Sequence, residues 1–374
     1  MADLNAVAAH ALEQALAGAD AEDALAAALR AAKLENDDRA RVAKWVLGSS
    51  VMRLTLRHWL RKPNAGAAEL IDAYQRFIEA NAPPDVLWPE NRVERLSVEA
   101  SVPMWLAELW DRELGFENAR SLVLAMNQPG PTTLRANTLH TDRDSLAVKL
   151  REEGIVTRPG RLAPNALHVE GRANLWGSTA WRNGLFEVQD EGSQLIVEAC
   201  RAKPRERWLD LCAGNGGKTL ALAAAMGGTG TIVACDVDRQ KLQNLDARLK
   251  RARVNGVEIR ELEPGREAQS LHGERFDGVL VDAPCSELGT LRRHPDARWR
   301  LDLEKITKLP ALQLRLSRLA TDHLEPGGKL VYATCTIHKA ENEDVVSRSA
   351  VGLTARTLRP DVDGTDGFFI ARSE

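Results

Sequence analysis

The chain has 374 residues, 44% of them hydrophobic and 28% charged, and a formal net charge of −3, which implies two or three domains, excludes a disordered chain, and confines any nucleic-acid-binding surface to a local patch. Five cysteines, an odd number with no Cys-x-x-Cys pair, exclude a disulfide framework and a structural zinc site. No apolar run is long enough for a membrane span, and the start "MADLNAVAAHALEQAL" lacks the features of a secretion signal, so a cytoplasmic protein with neither membrane nor metal partners is expected.

Residues 1–82 are rich in Ala and Leu, and "LAAALRAAKL" and "ARVAKWVLGSSVMRLTLRHWL" space their apolar residues as helices do. Asp37 and Asp38 stand where a helix N-cap is expected, and Pro83 and Pro84 end the pattern. This region reads as a small all-α domain. Residues 83–185 open with two helical segments, "SVPMWLAELWDREL" and "ENARSLVLAMN". A strand "TLRANTL" follows, then a helix capped by Asp142 or Asp144 and stopped by Gly154, then short strands in "IVTRPG" and "ALHVEG". The β-α-β-β order predicts a small α+β module of the RNA-recognition type, though without the aromatic residues such a module stacks on bases; a structural linker domain is the competing reading.

Residues 186–374 alternate strands with helices. Strands in "RWLDLCAG", "GTIVACDVD", "GVEIREL", "FDGVLVDAP" and "KLVYATC" are separated by helices in "KTLALAAAM", "RQKLQNLDARLKRARV" and "PALQLRLSRLATDHL", and two late strands, "LTARTL" and "GFFIARS", close the chain. This is the pattern of an α/β domain with a mostly parallel sheet covered on both faces. In such sheets ligands bind at the C-terminal ends of the strands. The first strand ends in "DLCAGNGGKT", where Gly214, Gly216 and Gly217 let the backbone approach a ligand and the next helix offers unpaired N–H groups. The second ends at Asp236, placed to accept the two hydroxyls of a ribose, while Asp238 caps the following helix. The loop is neither G-x-G-x-x-G nor a P-loop, which favours S-adenosylmethionine, a ribose carrier without phosphate.

Cys285 and Cys335 end two successive strands beside this site, whereas Cys200, Cys212 and Cys235 read as small buried apolar residues. Methylation at carbon 5 of a pyrimidine calls for such a pair. A thiolate adding to carbon 6 turns carbon 5 into a nucleophile, and a second group helps expel the thiolate afterwards. An acid next to the cysteine assists at ring N3, and Asp282 is three residues before Cys285. The residues alone do not say which cysteine adds to the ring.

"LDLCAGNGGKT", "ACDVD", "FDGVLVDAPCSELGTLRRHPDARWRL", "PGGKLVYATCT" followed by "ENE", and "DGFFIA", with "LRANTL" and "GLFEVQDEGSQL" upstream, resemble the RsmB/NOP2/Sun family of RNA 5-methylcytosine methyltransferases over residues 90–374. The helical start, with "DRARVAKWVLGSSVMR", resembles a shortened NusB-type domain, which points to the RsmB branch and 16S ribosomal RNA. The resemblance implies a Rossmann-like methyltransferase domain using S-adenosylmethionine. Cys335 matches the nucleophile and Cys285 the cysteine that helps release the product. Asp282 matches the acid at the cytosine edge, close to the methyl donor, with Lys218 near both. Cys212, Ala213, Gly214, Asn215, Gly216, Gly217 and Lys218 match the cofactor loop, and Asp236 the ribose acid. Two departures stand out: Gly214 and Asn215 replace a usual Ala-Pro, and Glu263 stands where an Asp usually contacts the adenine amine.

Arg292, Arg293, Arg298 and Arg300, set against Asp296 alone, follow the Pro-Cys strand and are expected to contact RNA phosphates, with Trp299 stacking or anchoring the loop. The target base must be unstacked, so single-stranded or locally melted RNA is implied. Methylation of tRNA, or a non-catalytic ribosome-assembly role, are the alternatives.

Overall fold

The computed structural model describes residues 3–349 and 352–374, which fall into two compact units: one runs to Pro129 and includes Leu291–Asp302, the other comprises Gly130–Thr290 and Leu303–Glu374.

The first unit is helical. Its main helices are Leu4–Leu16, Ala21–Ala32, Asn36–Val51, Arg53–Leu60, Ala67–Ala73, Arg92–Ala100, Met104–Leu114 and Phe116–Met126. Asp3, Asp20 and Asn91 cap three of them through side-chain oxygens that accept backbone N–H groups. Asp37 and Asp38 lie inside the first turn of the third helix, where they favour its positive end, and Glu35 takes the cap position they were expected to fill. Ala8, Leu12, Leu29, Val46, Leu56 and Leu70 are among the buried residues of its core.

The second unit holds two sheets. The smaller consists of β1 (Thr133–Ala136), β2 (Thr157–Pro159), β3 (Ala166–Val169) and β4 (Phe186–Val188), in the order β2-β3-β1-β4 with every pair antiparallel. Asp142 caps the helix Arg143–Glu152 that links β1 to β2. The fourth strand escapes the sequence reading, and a boundary between residues 185 and 186 falls immediately before it.

The larger sheet contains β5 (Arg207–Asp210), β6 (Thr231–Asp236), β7 (Val257–Glu261), β8 (Phe276–Asp282), β9 (Leu324–Thr334), β10 (Thr354–Leu358) and β11 (Phe368–Arg372), in the order β10-β11-β9-β8-β5-β6-β7. From β9 to β7 the pairs are parallel, and β11 and β10 add antiparallel pairs at the other side. Strand residues alternate between two cores. Trp208, Ile232, Ala234, Leu280 and Val331 face Val197, Leu220 and Leu245 of three helices; Leu209, Val233, Val279, Val281 and Tyr332 face Leu314 and Leu316 of the helix Leu303–Asp322. Burial on both faces is why these strands read as continuous apolar runs. The helix Leu303–Asp322 begins seven residues before Pro310 and accommodates that proline internally. The result is a Rossmann-like α/β domain, whose strand order reverses beside β5. Among the described residues no helix is long and apolar enough to cross a membrane.

Candidate functional site

Sheet register brings the candidate residues together. Asp210 pairs with Leu280 of β8 and Ala234 of β6, and Asp282 pairs with Ala333 of β9. Four neighbouring strands therefore end at one level, about 4.8 Å apart. Three residues beyond Asp282 and two beyond Ala333, the sulfurs of Cys285 and Cys335 lie 3.3 Å apart, within hydrogen-bond distance. The Cys285 thiol is pushed well above the usual cysteine range by its hydrogen bond with Cys335, then by burial and the negative charges of Cys335 and Glu341; the Glu287 N–H acts in the opposite sense.

Lys218 lies in the first turn of the helix Gly217–Ala225 and donates to Asp282 Oδ2 at 2.6 Å. Burial works against the lysine's charge, but the charge of Asp282 and its hydrogen bond outweigh it and raise the ammonium's pKa; the Cys335 charge adds to this. The structure thus gathers Cys285, Cys335, Asp282 and Lys218 in one place.

The turns that carry the cysteines are fixed by a residue the sequence reading did not single out. Glu341 is fully buried; it accepts from the Ser286 N–H at 2.9 Å, from the Ser286 hydroxyl, and from Gln313 Nε2 at 2.9 Å. Gln313 Nε2 also donates to the Pro284 carbonyl. Its neighbour Asn342 accepts from the Thr334 hydroxyl at 2.6 Å and donates to the Thr336 carbonyl at 3.0 Å, bracketing Cys335. Gly289 donates to the Cys335 carbonyl at 3.0 Å; an added Cβ there would lie 2.1 Å from the Gly367 carbonyl oxygen, so only glycine fits. Glu341 and Asn342 both lie in the "ENE" that follows the Cys335 strand.

The glycine loop turns beside Asp236. Gly214 and Gly216 have φ of 53° and 80°, and the Gly214 N–H donates to Asp236 Oδ2 at 2.8 Å. Asp236 Oδ1 accepts the Asp238 N–H at 2.9 Å, and each oxygen keeps a lone pair for a further donor. The helix after Gly216 begins without a side-chain cap, leaving N–H groups for a ligand. Leu211, Cys212, Val237, Leu262 and Pro284 line an adjoining, mostly apolar cavity of about 160 Å³. Ala213, within the loop, packs into the same core as Trp208, and Cys200 and Cys235 are enclosed in the two cores. Glu263 does not reach this cavity. The turn at Pro264 sends its carboxylate outward, where it pairs with Arg266 at 3.6 Å and is 73% exposed. The acids that line the cavity are Asp236 and Glu267, the latter buried and paired with Arg315.

The arginine segment is also corrected. It belongs to the helical unit. Arg298 is 1% exposed, and its Nη1 donates to Asn127 Oδ1 at 2.7 Å and to the Ser101 carbonyl at 3.2 Å. Arg300 pairs with Asp20 at 2.6 Å and with Asp296, which also accepts the Ala21 N–H. Arg292 is buried and Arg293 half-buried. Trp299 anchors the segment: its Nε1 donates to the Ser50 carbonyl at 3.0 Å and the Arg53 guanidinium lies 3.7 Å over its ring. Burial and ion pairing thus remove Arg298, and engage Arg300, before any phosphate could compete.

Residues 197–351 match the family model described as 16S rRNA methyltransferase RsmB/F, and residues 102–175 match that of a ferredoxin-like domain of RsmF/B-like methyltransferases. Over 281 residues the chain is 31% identical to a probable ribosomal RNA small subunit methyltransferase B of Bacillus subtilis, covering 75% of this chain and 63% of the relative. It is 32% identical to ribosomal RNA small subunit methyltransferase B of Vibrio vulnificus, covering 72% of this chain and 65% of that one. The chain thus spans less than two thirds of the length of these curated relatives. Among solved structures, a methyltransferase homologue from Pyrococcus horikoshii aligns with a TM-score of 0.67 at 27% identity, covering 76% of this chain and 98% of that one.

Proposed function

We infer that this chain, which belongs to the RsmB/NOP2/Sun family, is an S-adenosylmethionine-dependent RNA methyltransferase that modifies carbon 5 of a cytosine in 16S ribosomal RNA. The observation that carries the chemistry is the pair of sulfurs 3.3 Å apart at the ends of β8 and β9, on the same sheet edge as the Lys218–Asp282 pair.

S-adenosylmethionine, when bound, supplies a methyl group on a sulfonium. The residues present suit it: Asp236 would hold the ribose hydroxyls, the apolar cavity would take the adenine, and the uncapped N–H groups after Gly216 suit a carboxylate. Cys335 adds its sulfur to carbon 6 of the cytosine; the ring loses aromaticity, and carbon 5 becomes the nucleophile that takes the methyl group. Asp282, fixed by Lys218, holds the cytosine edge near N3. The carbon-5 proton then leaves to a base, and the S–C6 bond breaks. Cys285, its sulfur 3.3 Å from that of Cys335, stands where it can assist the departing Cys335 sulfur. The base must leave its stack to reach the thiols, so the RNA is single-stranded or locally melted.

Methyl-labelled S-adenosylmethionine should label 16S ribosomal RNA at a cytosine that resists bisulfite conversion. Cys335→Ala should transfer nothing and form no adduct. Cys285→Ala should methylate and then stall, leaving a protein–RNA species on a denaturing gel that vanishes in the double variant. Label confined to tRNA would overturn the substrate, and an adduct formed by Cys335→Ala but not by Cys285→Ala would reverse the two roles.

A further inference from the structure

The cofactor loop is loose by composition. Between Ala213 and Lys218 the only side chain is that of Asn215, flanked by Gly214, Gly216 and Gly217. Such a segment loses much freedom on ordering and takes its shape from hydrogen bonds made to it from outside. One is Asp236 accepting the Gly214 N–H. Two more come from the helix Arg239–Ala252. Asn244 Nδ2 donates to Asn215 Oδ1 at 3.0 Å, and Arg248 Nη1 donates to the Asn215 carbonyl at 2.8 Å.

The rest of the Arg248 guanidinium is held by Glu187 of β4: Nη2 and Nε donate to Oε2 at 2.7 Å and 3.2 Å. Glu187 is 2% exposed, and its other oxygen accepts from Arg251. A planar guanidinium gripped along one edge by a buried carboxylate presents its remaining N–H in a fixed direction, which an ammonium cannot do. Arg251 shares the carboxylate but ends elsewhere. It lies 3.4 Å over the Trp181 ring and donates to the Trp181 carbonyl at 3.3 Å. Two arginines on one carboxylate therefore divide the work: Arg251 joins the helix to the small sheet, and Arg248 alone continues into the loop.

We propose that Arg248 is a positioning residue for the cofactor loop, and that Glu187, acting through it, makes the four-stranded sheet a support for cofactor binding as well as a neighbour of the methyltransferase sheet. The proposal rests on the cofactor reading given above. Arg248→Ala should raise the Kd for S-adenosylhomocysteine, measured by calorimetry, about tenfold, as expected for loss of a hydrogen bond from a charged donor. It should raise KM for S-adenosylmethionine while leaving kcat and KM for RNA unchanged. Arg251→Ala should lower the thermal midpoint without moving cofactor affinity. If the two variants change cofactor affinity equally, or neither does, Arg248 merely docks the helix and the proposal falls. Should Arg248→Ala fail to fold, Arg248→Lys keeps the charge against Glu187 but cannot bridge to the loop; parental affinity in that variant overturns the proposal. Failure of the cofactor reading would show separately, as a parent protein that does not bind S-adenosylhomocysteine. Hydrogen exchange of the Gly214–Lys218 amides then decides without ligand: faster exchange in Arg248→Ala than in Arg251→Ala supports the proposal, and equal exchange sinks it.

Discussion

Asp210 shows how much one side chain beneath a site can hide. It is fully buried at the end of β5; Oδ2 accepts the Thr219 hydroxyl at 2.7 Å, and Oδ1 has no hydrogen-bond partner among the described residues. Burial above all, with the nearby charge of Asp282, pushes its pKa up from 3.8 to about 7, against the pull of the Thr219 hydrogen bond. Between those two values the folded protein holds a proton that the unfolded chain has released. This contribution to stability is fully present below about pH 4 and is lost as pH rises to about 7, with a slope of at most about 1.4 kcal/mol per pH unit. Asp210→Asn cannot titrate. Urea denaturation at pH 5 and pH 7.5 should therefore show the parent losing more stability than the variant between the two. Equal losses would mean that Asp210 is already ionised in the folded protein at pH 5.

At the scale of elements, the site is made by two turns that must hold still relative to each other. Strand-end cysteines, the glycine loop and Asp236 were legible because each sits at a fixed distance from an apolar run, and periodicity locates runs. Glu341 was not legible as a part of the site. It follows Cys335 by six residues but braces the Cys285 turn, 55 residues from Ser286, a contact that no local pattern announces. β4 was missed for a related reason: its central residue is a charge, Glu187, buried only because Arg248 and Arg251 come from a distant helix to meet it. Glu263 follows β7, but Pro264 turns the chain and its carboxylate points outward to Arg266. Glu341→Ala would leave the Ser286 N–H without its acceptor and Gln313 with the Pro284 carbonyl alone, at a cost of about 2–4 kcal/mol. Methyl transfer should fall by about one and a half to three orders of magnitude where that loss reaches the transition state, ~1.4 kcal/mol being a decade, while S-adenosylhomocysteine affinity stays at the parental value. A full transfer rate in a folded Glu341→Ala protein would show that the two turns hold themselves.

Across the whole molecule, the chain leaves the larger unit after Thr290, contributes Leu291–Asp302 to the helical unit, and returns at Leu303. Composition could not reveal this. Four arginines against one acid read as a phosphate-binding strip because Asn127, the Ser101 carbonyl and Asp20 lie 171 to 280 positions away in sequence. In the folded chain Arg298 and Arg300 do structural work: Arg300 pairs with Asp20, and Arg298 replaces water for carbonyls at the end of the helix Arg92–Ala100, where burial lowers its pKa to about 10. A phosphate contact and a structural plug make opposite demands on one mutation. Were Arg298 on RNA, its removal would spare stability and reduce the salt slope of binding by about 0.7, the single-strand value per phosphate. As a plug, Arg298→Ala should cost about 2–4 kcal/mol through buried carbonyls left without donors. Chemical denaturation of the variant should show that loss, and filter binding from low to high salt should return the parental slope. A stable variant with a flattened slope would restore the arginine strip as an RNA surface.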